Sequence, residues 1–595
     1  MGAISGIYNY GIDRPVDGPT LEAMSAVQKH RGPAYAGVHV NGRLGLANRR
    51  LGIIDAVGGR QPMSNDSGTV WLTFSGEIFN HREIRSDLEA RGRRFRTQSD
   101  AEVVLGAYET FGKSFVERLN GQFALAIWDQ ARSELFLARD PLGIAPLHYT
   151  EEDGQFVFAS EAKGVLKHPA GRPEADPYAV VEALLCGTLF GGRTMFARVK
   201  SLGPGSTLTV TGNGCRESVY WSMPGGGTAQ ARGEQEPSAE HVLSLLEDAV
   251  RSSLVGDADW GIMLSGGVDS TTLTALASRV ARRQVRTFTI DFEDRWRGED
   301  VDAHYAALVA RRFETDHHLF MSSPDDYFAV LEKLAWHLEK PYNKAAATVH
   351  LLYAKLSPHA TFALSGEGMD ELLAGYVGAR GLGIDGDGDG GGPREFPWAP
   401  HPEVVNRLFT QEARHELRPL EVLAERLSEA LGRCPTSDGL NRALDLYSRY
   451  FLLELVELHE RASHAVSVET RFPFLDRRLV ELIAPLPSDL KYRDGQTKYL
   501  LKQAAGALIP PEVLARRKAH LPIPRDPRSM ATQVELAREL LLGPGARTAR
   551  YFDPVKVGAF LQRRDDFEGT DALTVWQVSL NLITLELLYR QYGMT

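Results

Sequence analysis

Gly261-Ile262-Met263-Leu264-Ser265-Gly266-Gly267-Val268-Asp269-Ser270 is the stretch on which the reading of this chain turns. Its first four residues are short and apolar, as a buried strand is. Beyond it, Leu273, Leu276, Ala277 and Val280 recur at helical spacing. A strand, a glycine turn and a helix start form an anion site. The glycines let the backbone approach closely, and unpaired N–H groups at the helix N-terminus point at a phosphate. Ser265 and Ser270 add hydroxyls, and Asp269 can hold the Mg2+ that accompanies a nucleotide. The lysine of a Walker A loop is missing, so the common P-loop reading fails.

Further stretches supply the rest of such a site. Thr287-Phe288-Thr289-Ile290 reads as a second strand whose backbone, Ile290 included, meets an adenine. Ser365-Gly366-Glu367-Gly368-Met369-Asp370-Glu371 follows the apolar run Thr361 to Leu364, which puts it at the carboxyl edge of a sheet, where open α/β folds bind ligands. Phe472-Pro473-Phe474-Leu475-Asp476 is a rigid turn. Asp494-Gly495-Gln496-Thr497-Lys498-Tyr499 opens a helix with a lysine in its first turn. A lone lysine or aspartate is ordinarily a solvated surface charge; the order and number of these pieces argue otherwise.

The rest of the chain frames them. With 595 residues, several domains are expected. Residues 1–220 carry short alternating strands (Gly2 to Tyr10, Leu44 to Ala47, Val70 to Phe74, Phe123 to Trp128, Glu134 to Ala138, Phe156 to Ala159) interleaved with helical patches, an α+β pattern. Residues 221–238 are rich in Gly, Pro and Gln and read as a linker. From 239 to 595, helices alternate with apolar strands before a mostly helical final third, the pattern of a parallel sheet covered by helices. A net charge of −10 argues against a nucleic-acid partner, and three scattered cysteines form neither a disulfide framework nor a zinc site. The N-terminus lacks a basic, apolar leader, and no segment reads as a membrane span, so a cytoplasmic setting is expected. Asp385, Asp387 and Asp389 imitate the first half of a calcium loop, but Glu395 falls one place early and Pro393 intrudes, which favours a plain glycine-rich loop.

His30-Arg31-Gly32-Pro33, Arg49-Arg50-Leu51, Gly76-Glu77-Ile78, Arg139-Asp140 and Leu142-Gly143-Ile144 precede the SGGVDS, SGEGMDE and FPFLD stretches in one order. In this the chain resembles the asparagine synthetase B type, a family that includes β-lactam and carbapenam synthetases. The resemblance implies an N-terminal Ntn-hydrolase-like αββα sandwich joined to an α/β ATP-pyrophosphatase domain, and a homodimer. It also implies ATP-dependent activation of a small-molecule carboxylate as an acyl-adenylate, with pyrophosphate released and an amine or ammonia attacking. Ser265, Gly266, Gly267 and Ser270, with Ser365 and Gly366 alongside, then hold the nucleotide, and Asp269 and Asp370 ligate Mg2+. Lys498 stabilises charge building on the α-phosphate and the tetrahedral carbon. Glu367 is the candidate base for the amine, directly or relayed through a neighbour; as a bland alternative it caps a helix N-terminus.

The family pattern breaks in two places. Glutamine-hydrolysing members begin Met-Cys-Gly-Ile, whereas this chain begins Met1-Gly2-Ala3-Ile4, and the Asn-Gly-Glu-Ile motif reads Ser75-Gly76-Glu77-Ile78. Nucleophile and oxyanion donor are lost together, while Arg50 and Asp100, at glutamine-anchoring positions, remain; a glutaminase fold kept as a structural partner is expected. The second break lies where the acceptor pocket belongs. Lys344 stands where an acid is common, Val349-His350 replaces Pro-Thr, Met369 replaces a small residue and Ala374 a glycine. An acyl substrate other than plain aspartate follows, unless Lys344 faces solvent and His350 is a core histidine. Asparagine synthesis from ammonia and a non-catalytic paralogue are the competing readings. The intact set of Asp269, Glu367, Asp370 and Lys498 opposes the latter.

Overall fold

A computed structural model describes residues 2–227, 236–256, 258–293, 302–376, 396–399, 401–519, 521–524 and 526–594. The calcium-loop imitation at 385–395 lies outside them.

Residues up to 221 build two six-stranded sheets. Strands Gly2–Asn9, Leu44–Arg50 and Gln155–Ala159 lie at the heart of one; Val70–Ile78, Gly121–Asp129 and Glu134–Arg139 at the heart of the other. Gly2–Asn9 and Val70–Ile78 are buried along their whole length, without the in–out alternation of a solvated sheet, because each sheet is covered on both faces. The sheets face one another. Helix Gly18–Ala26 covers the outside of the first, and helices His81–Ala90 and Asp100–Phe111 the outside of the second. This is the αββα sandwich.

The second half is centred on a five-stranded parallel sheet. In chain order its strands are Trp260–Met263, Arg286–Phe292, Asp316–Ser322, Phe362–Leu364 and Glu469–Arg471, and in space they run third, second, first, fourth, fifth. The order reverses between the first and fourth strands. That reversal opens a crevice at their carboxyl ends, and the loops starting at Ser265 and Ser365 both leave from there.

Two strands went unread in the sequence. Asp316–Ser322 is a half-exposed edge. Glu469–Arg471 is wholly buried although two of its three residues are charged. Arg471 pairs with Glu469 at 2.7 Å, donates to the Ser253 carbonyl at 2.8 Å and lies 3.9 Å above the Phe362 ring. The internal pair substitutes for hydrophobicity there.

Two expectations need correction and one an addition. Lys498 does not sit in the first turn of a helix: residues 492–493 and 496–497 form a small hairpin, Lys498 takes a left-handed backbone (φ 54°), and the helix begins at Tyr499. The start of the linker is docked, with Arg449 donating to the Met223 carbonyl at 2.8 Å and Gly227 N–H to that of Leu486 at 3.2 Å. Among the described residues one helix, Ala572–Tyr592, is long and apolar enough to cross a membrane, yet 78% of its apolar window is buried within the molecule against helices Pro527–Leu542 and Leu331–Leu338. Burial on all sides explains its uniform apolarity.

Candidate functional site

A cavity of about 670 Å3 opens at the crevice. Its end at the strand-order reversal is built by Met263 to Ser265, Gly267 to Ser270, Phe288 to Ile290, Ser365 to Glu367, Asp370 and Lys498. Helix Val268–Val280 starts there without a side-chain cap, so its first N–H groups remain for an anion. Ser265 and Ser270 hydroxyls lie 3.1 Å apart across the loop. Gly266 does not line the cavity. At φ +70° its missing Cβ would come within 2.5 Å of Tyr305 and Ala306, so this glycine lets helix Asp302–Arg312 pack beneath the loop.

The charges expected from three separate stretches meet here. Lys498 Nζ contacts Asp269 and lies 2.6 Å from Asp370 Oδ1. The other Asp370 oxygen accepts from Lys518 Nζ at 2.6 Å. Gly375 makes room for this: a Cβ would fall 1.8 Å from the Asp370 carboxylate. The neighbouring Ala374 takes φ +61°, a left-handed backbone that its side chain disfavours, at the position where the family pattern has glycine. Burial pushes Asp269 up to about 6. Burial acts the same way on Asp370, but Lys498 and Lys518 outweigh it and hold that carboxyl well below its ordinary range. Asp269 Oδ1 is buried and accepts no hydrogen bond. Two carboxylates, one with an unused buried oxygen, suit Mg2+, which fills its remaining positions from phosphates and water. No group of three or more potential metal ligands occurs among the described residues.

Lys518, Arg516 and Lys502 went unread in the sequence. Arg516 donates to the Ser265 carbonyl at 3.0 Å and pairs with Asp302 at 2.6 Å, pinning the loop from behind. The run Arg516-Arg517-Lys518 was the available signal, but basic runs are ordinarily solvated, and only folding brings this one to the crevice.

Glu367 reaches the cavity with its side chain 26% exposed, 3.5 Å from His459 Nε2. Burial pushes its carboxyl up, but the contact with His459 outweighs this and leaves it below its ordinary range. The remaining lobe is largely apolar: Leu338, Tyr342, Val349, Leu352, Trp398 and Phe451 line it, with Lys344 among them. His350 is not there. It is buried in the core with Nδ1 3.2 Å from the Ala462 carbonyl, and burial lowers it to about 4. Met369 is likewise a core residue beneath the loop. Of the three residues expected in the acceptor pocket, the structure brings only Lys344 to the cavity, because helix Ala345–Leu356 turns the face bearing His350 toward helix Leu452–His464.

At the other centre, Gly2 sits in strand pairing with no room for a side chain. A Cβ would lie 1.9 Å from the Arg49 carbonyl oxygen. Ser75 Oγ accepts from Gly2 N–H at 3.1 Å and donates to its carbonyl at 2.9 Å. The Arg50 guanidinium is turned onto the carbonyls of Ile54, Asp55 and Ala56. Asp100 accepts from Ile78 and Ala101 N–H groups, and burial, with Glu77 nearby, pushes it up to about 7.

A buried ionic chain joins the two centres. Arg31 donates to the Gly2 carbonyl and pairs with Glu460 and Glu161; Arg461 bridges Glu161 to Glu339 at 3.4 and 3.0 Å. Lys340, next in sequence to Glu339, is held by Glu454 and Glu457, raised to about 12 by them against burial, and lines the cavity wall. Ala183 and Gly187 of the first half also line that wall.

Family models agree with this architecture: an asparagine synthase model matches residues 241–590, and a glutamine amidotransferase domain model residues 1–221. The chain belongs to the asparagine synthase family. Among its relatives is asparagine synthetase [glutamine-hydrolyzing] 3 of Bacillus subtilis, 29% identical over 84% of each chain. Asparagine synthetase B [glutamine-hydrolyzing] of Escherichia coli is 26% identical over 95% of this chain and 90% of its own. This asparagine synthase-family protein is an ATP-binding, amide-forming ligase whose substrates are a small carboxylate and an amine.

Proposed function

We propose that the protein joins a carboxylate to an amine by way of an acyl-adenylate, releasing AMP and pyrophosphate, and that it no longer hydrolyses glutamine. The observation carrying this is the meeting of Asp269, Asp370, Lys498 and Lys518 in one cavity at the strand-order reversal. Asp269 and Asp370 would hold Mg2+, which when bound neutralises the pyrophosphate as it leaves. Ser265, Gly267, Ser270 and the helix N-terminus hold phosphate oxygens. On nucleotide binding the two ammoniums turn from the carboxylates toward the α-phosphate, where positive charge in a dry site stabilises the transition state. Glu367 takes the proton of the attacking amine.

Glutaminase loss is supported by the crowding at Gly2, by Ser75 being spent on the Gly2 backbone, and by Arg50 being spent on its own loop. The first half serves instead as a wall of the synthetase cavity. The apolar lobe and Lys344 favour an acid bulkier than aspartate, as in specialised metabolism. The nitrogen comes from free ammonia, an external amine or an amine in the same substrate. Aspartate with ammonia is the second reading, favoured by the names of the relatives. The active form is a cytoplasmic homodimer, by family likeness.

Pyrophosphate release from ATP across a panel of carboxylates, with ammonia or amines added, is the test. A carboxylate-dependent burst supports the proposal. ATP binding without any carboxylate-dependent release refutes it, and ammonia-supported AMP formation with aspartate alone selects the second reading.

A further inference from the structure

Behind Glu367 stands a set of side chains that nucleotide handling does not use. His459 lies on helix Leu452–His464, Tyr353 on helix Ala345–Leu356, and Thr470 on the last strand of the parallel sheet. All three are buried, and only His459 borders the cavity. Thr470 Oγ donates to the Tyr353 hydroxyl at 2.7 Å. The Tyr353 oxygen lies 3.0 Å from His459 Nδ1, and His459 Nε2 lies 3.5 Å from Glu367 Oε1.

The direction of the chain follows from hydrogen counting. A hydroxyl carries one proton, so once Tyr353 accepts from Thr470 its own O–H is free to donate to Nδ1. Nδ1 is then the acceptor of a neutral ring, and the ring's single proton rests on Nε2, facing the Glu367 carboxylate. A ring nitrogen's role is set by the bond made at the other nitrogen. The edge-to-face contact with Phe472, ring centres 6.1 Å apart, holds the imidazole from the side.

We propose that His459 is a positioning residue for the amide-forming step. Oriented by Tyr353 and Thr470, it holds one oxygen of Glu367 through Nε2–H and leaves the second oxygen facing the amine. In that step the amine nitrogen forms the C–N bond to the acyl carbon and gives its proton to Glu367. The C–O bond to the phosphoryl group breaks and AMP leaves with the electron pair. The proton then passes to solvent through the cavity. His459 keeps its own proton throughout, so its contribution is geometry: a carboxylate free to rotate spends little time in line with the N–H. Formation of the adenylate needs no base at this place and is untouched by the device.

The inference rests on the acyl-adenylate reading, and the experiment separates the two. In the full chain labelled with 15N-histidine, the signal lost in His459→Gln identifies the residue. A neutral ring protonated at Nε2 is expected, with its Nδ1 resonance shifting in Tyr353→Phe. An imidazolium, or a ring protonated at Nδ1, overturns the proposal. The second measurement compares ATP–pyrophosphate exchange with hydroxamate formation on hydroxylamine, using amino acids and short peptides that carry a side-chain carboxylate. His459→Ala is expected to slow hydroxamate formation about 10- to 100-fold, in line with losing an orienting partner, while exchange stays within about twofold; His459→Gln, which keeps an N–H donor, restores most of the loss. Equal losses in both half-reactions, or none in either, overturn it. If the wild type shows no exchange with any acid, the adenylate reading fails on its own account and the ring's protonation still decides the geometry.

Discussion

Installing a cysteine nucleophile by Gly2→Cys with Ser75→Asn should fail to create a glutaminase, and the structure says by how much. Strand Gly2–Asn9 pairs with Leu44–Arg50 so closely that a Cβ on residue 2 falls 1.9 Å from the Arg49 carbonyl oxygen. Carbon and carbonyl oxygen in contact across strands ordinarily stand about 3.3–3.6 Å apart. The strand end must therefore retreat by more than an ångström, against backbone pairing that is buried on both faces. Overpacking of that kind costs about 1–3 kcal/mol, and a Tm fall of roughly 2–4 °C per kcal/mol follows for a domain of this size. Asparagine at 75 adds bulk where the serine hydroxyl already bridges both Gly2 backbone groups, and Arg50 stays committed to its own loop. The double variant should thus lose several degrees in Tm and release glutamate from glutamine no faster than the parent. Glutamate release near an ordinary enzyme turnover, about 10 s−1, with Tm unchanged would refute the crowding argument and the claim that nitrogen no longer comes from glutamine.

Other outcomes follow from the same geometry. Lys498→Ala should suppress product formation by at least about 100- to 1000-fold, the loss typical of a buried electrostatic donor, while ATP binding stays measurable by calorimetry; near-normal turnover would remove its assignment. Glu371, fully buried beneath the site, accepts from Tyr376 at 2.7 Å and is raised to about 8 by burial and by the charges of Asp370 and Glu367. Between about pH 4.5 and 8 the native state holds a proton that the unfolded chain has released, so this group lowers stability as pH rises, by about 1.4 kcal/mol per unit. Glu371→Gln should therefore gain on the parent by about 2 kcal/mol between pH 6 and 7.5 in urea unfolding; a gap that stays flat would contradict the burial argument. Arg31→Ala takes from buried Glu460 its guanidinium partner and from Glu161 one of several cations, and should cost about 3–5 kcal/mol, read as a drop in the urea midpoint; a loss below about 1 kcal/mol would mean that the ionic chain between the halves does not hold them.

Much of this molecule is written locally. The SGGVDS loop announces itself because glycine is the residue that permits a positive φ and close packing, and the residues before and after it have the periods of strand and helix. The missing nucleophile is equally plain, since one letter replaces a thiol with a hydrogen atom. Strands such as Val70–Ile78 were legible through their apolar runs, whereas Glu469–Arg471 was hidden because its buried charges satisfy one another only after folding.

What the linear order could not decide is which charges meet. Lys498 and Lys518 reach Asp370 from segments more than a hundred residues away, and Arg31 finds Glu460 across the two halves, because sheet order and interdomain packing choose neighbours without regard to sequence distance. Helical facing was equally undetermined: Lys344 and His350 belong to one sequence departure, yet a turn and a half of helix sends one to the cavity and the other to the core. Local chemistry names the groups available to the reaction; the packing of elements selects those that share a cavity and those that become its scaffolding.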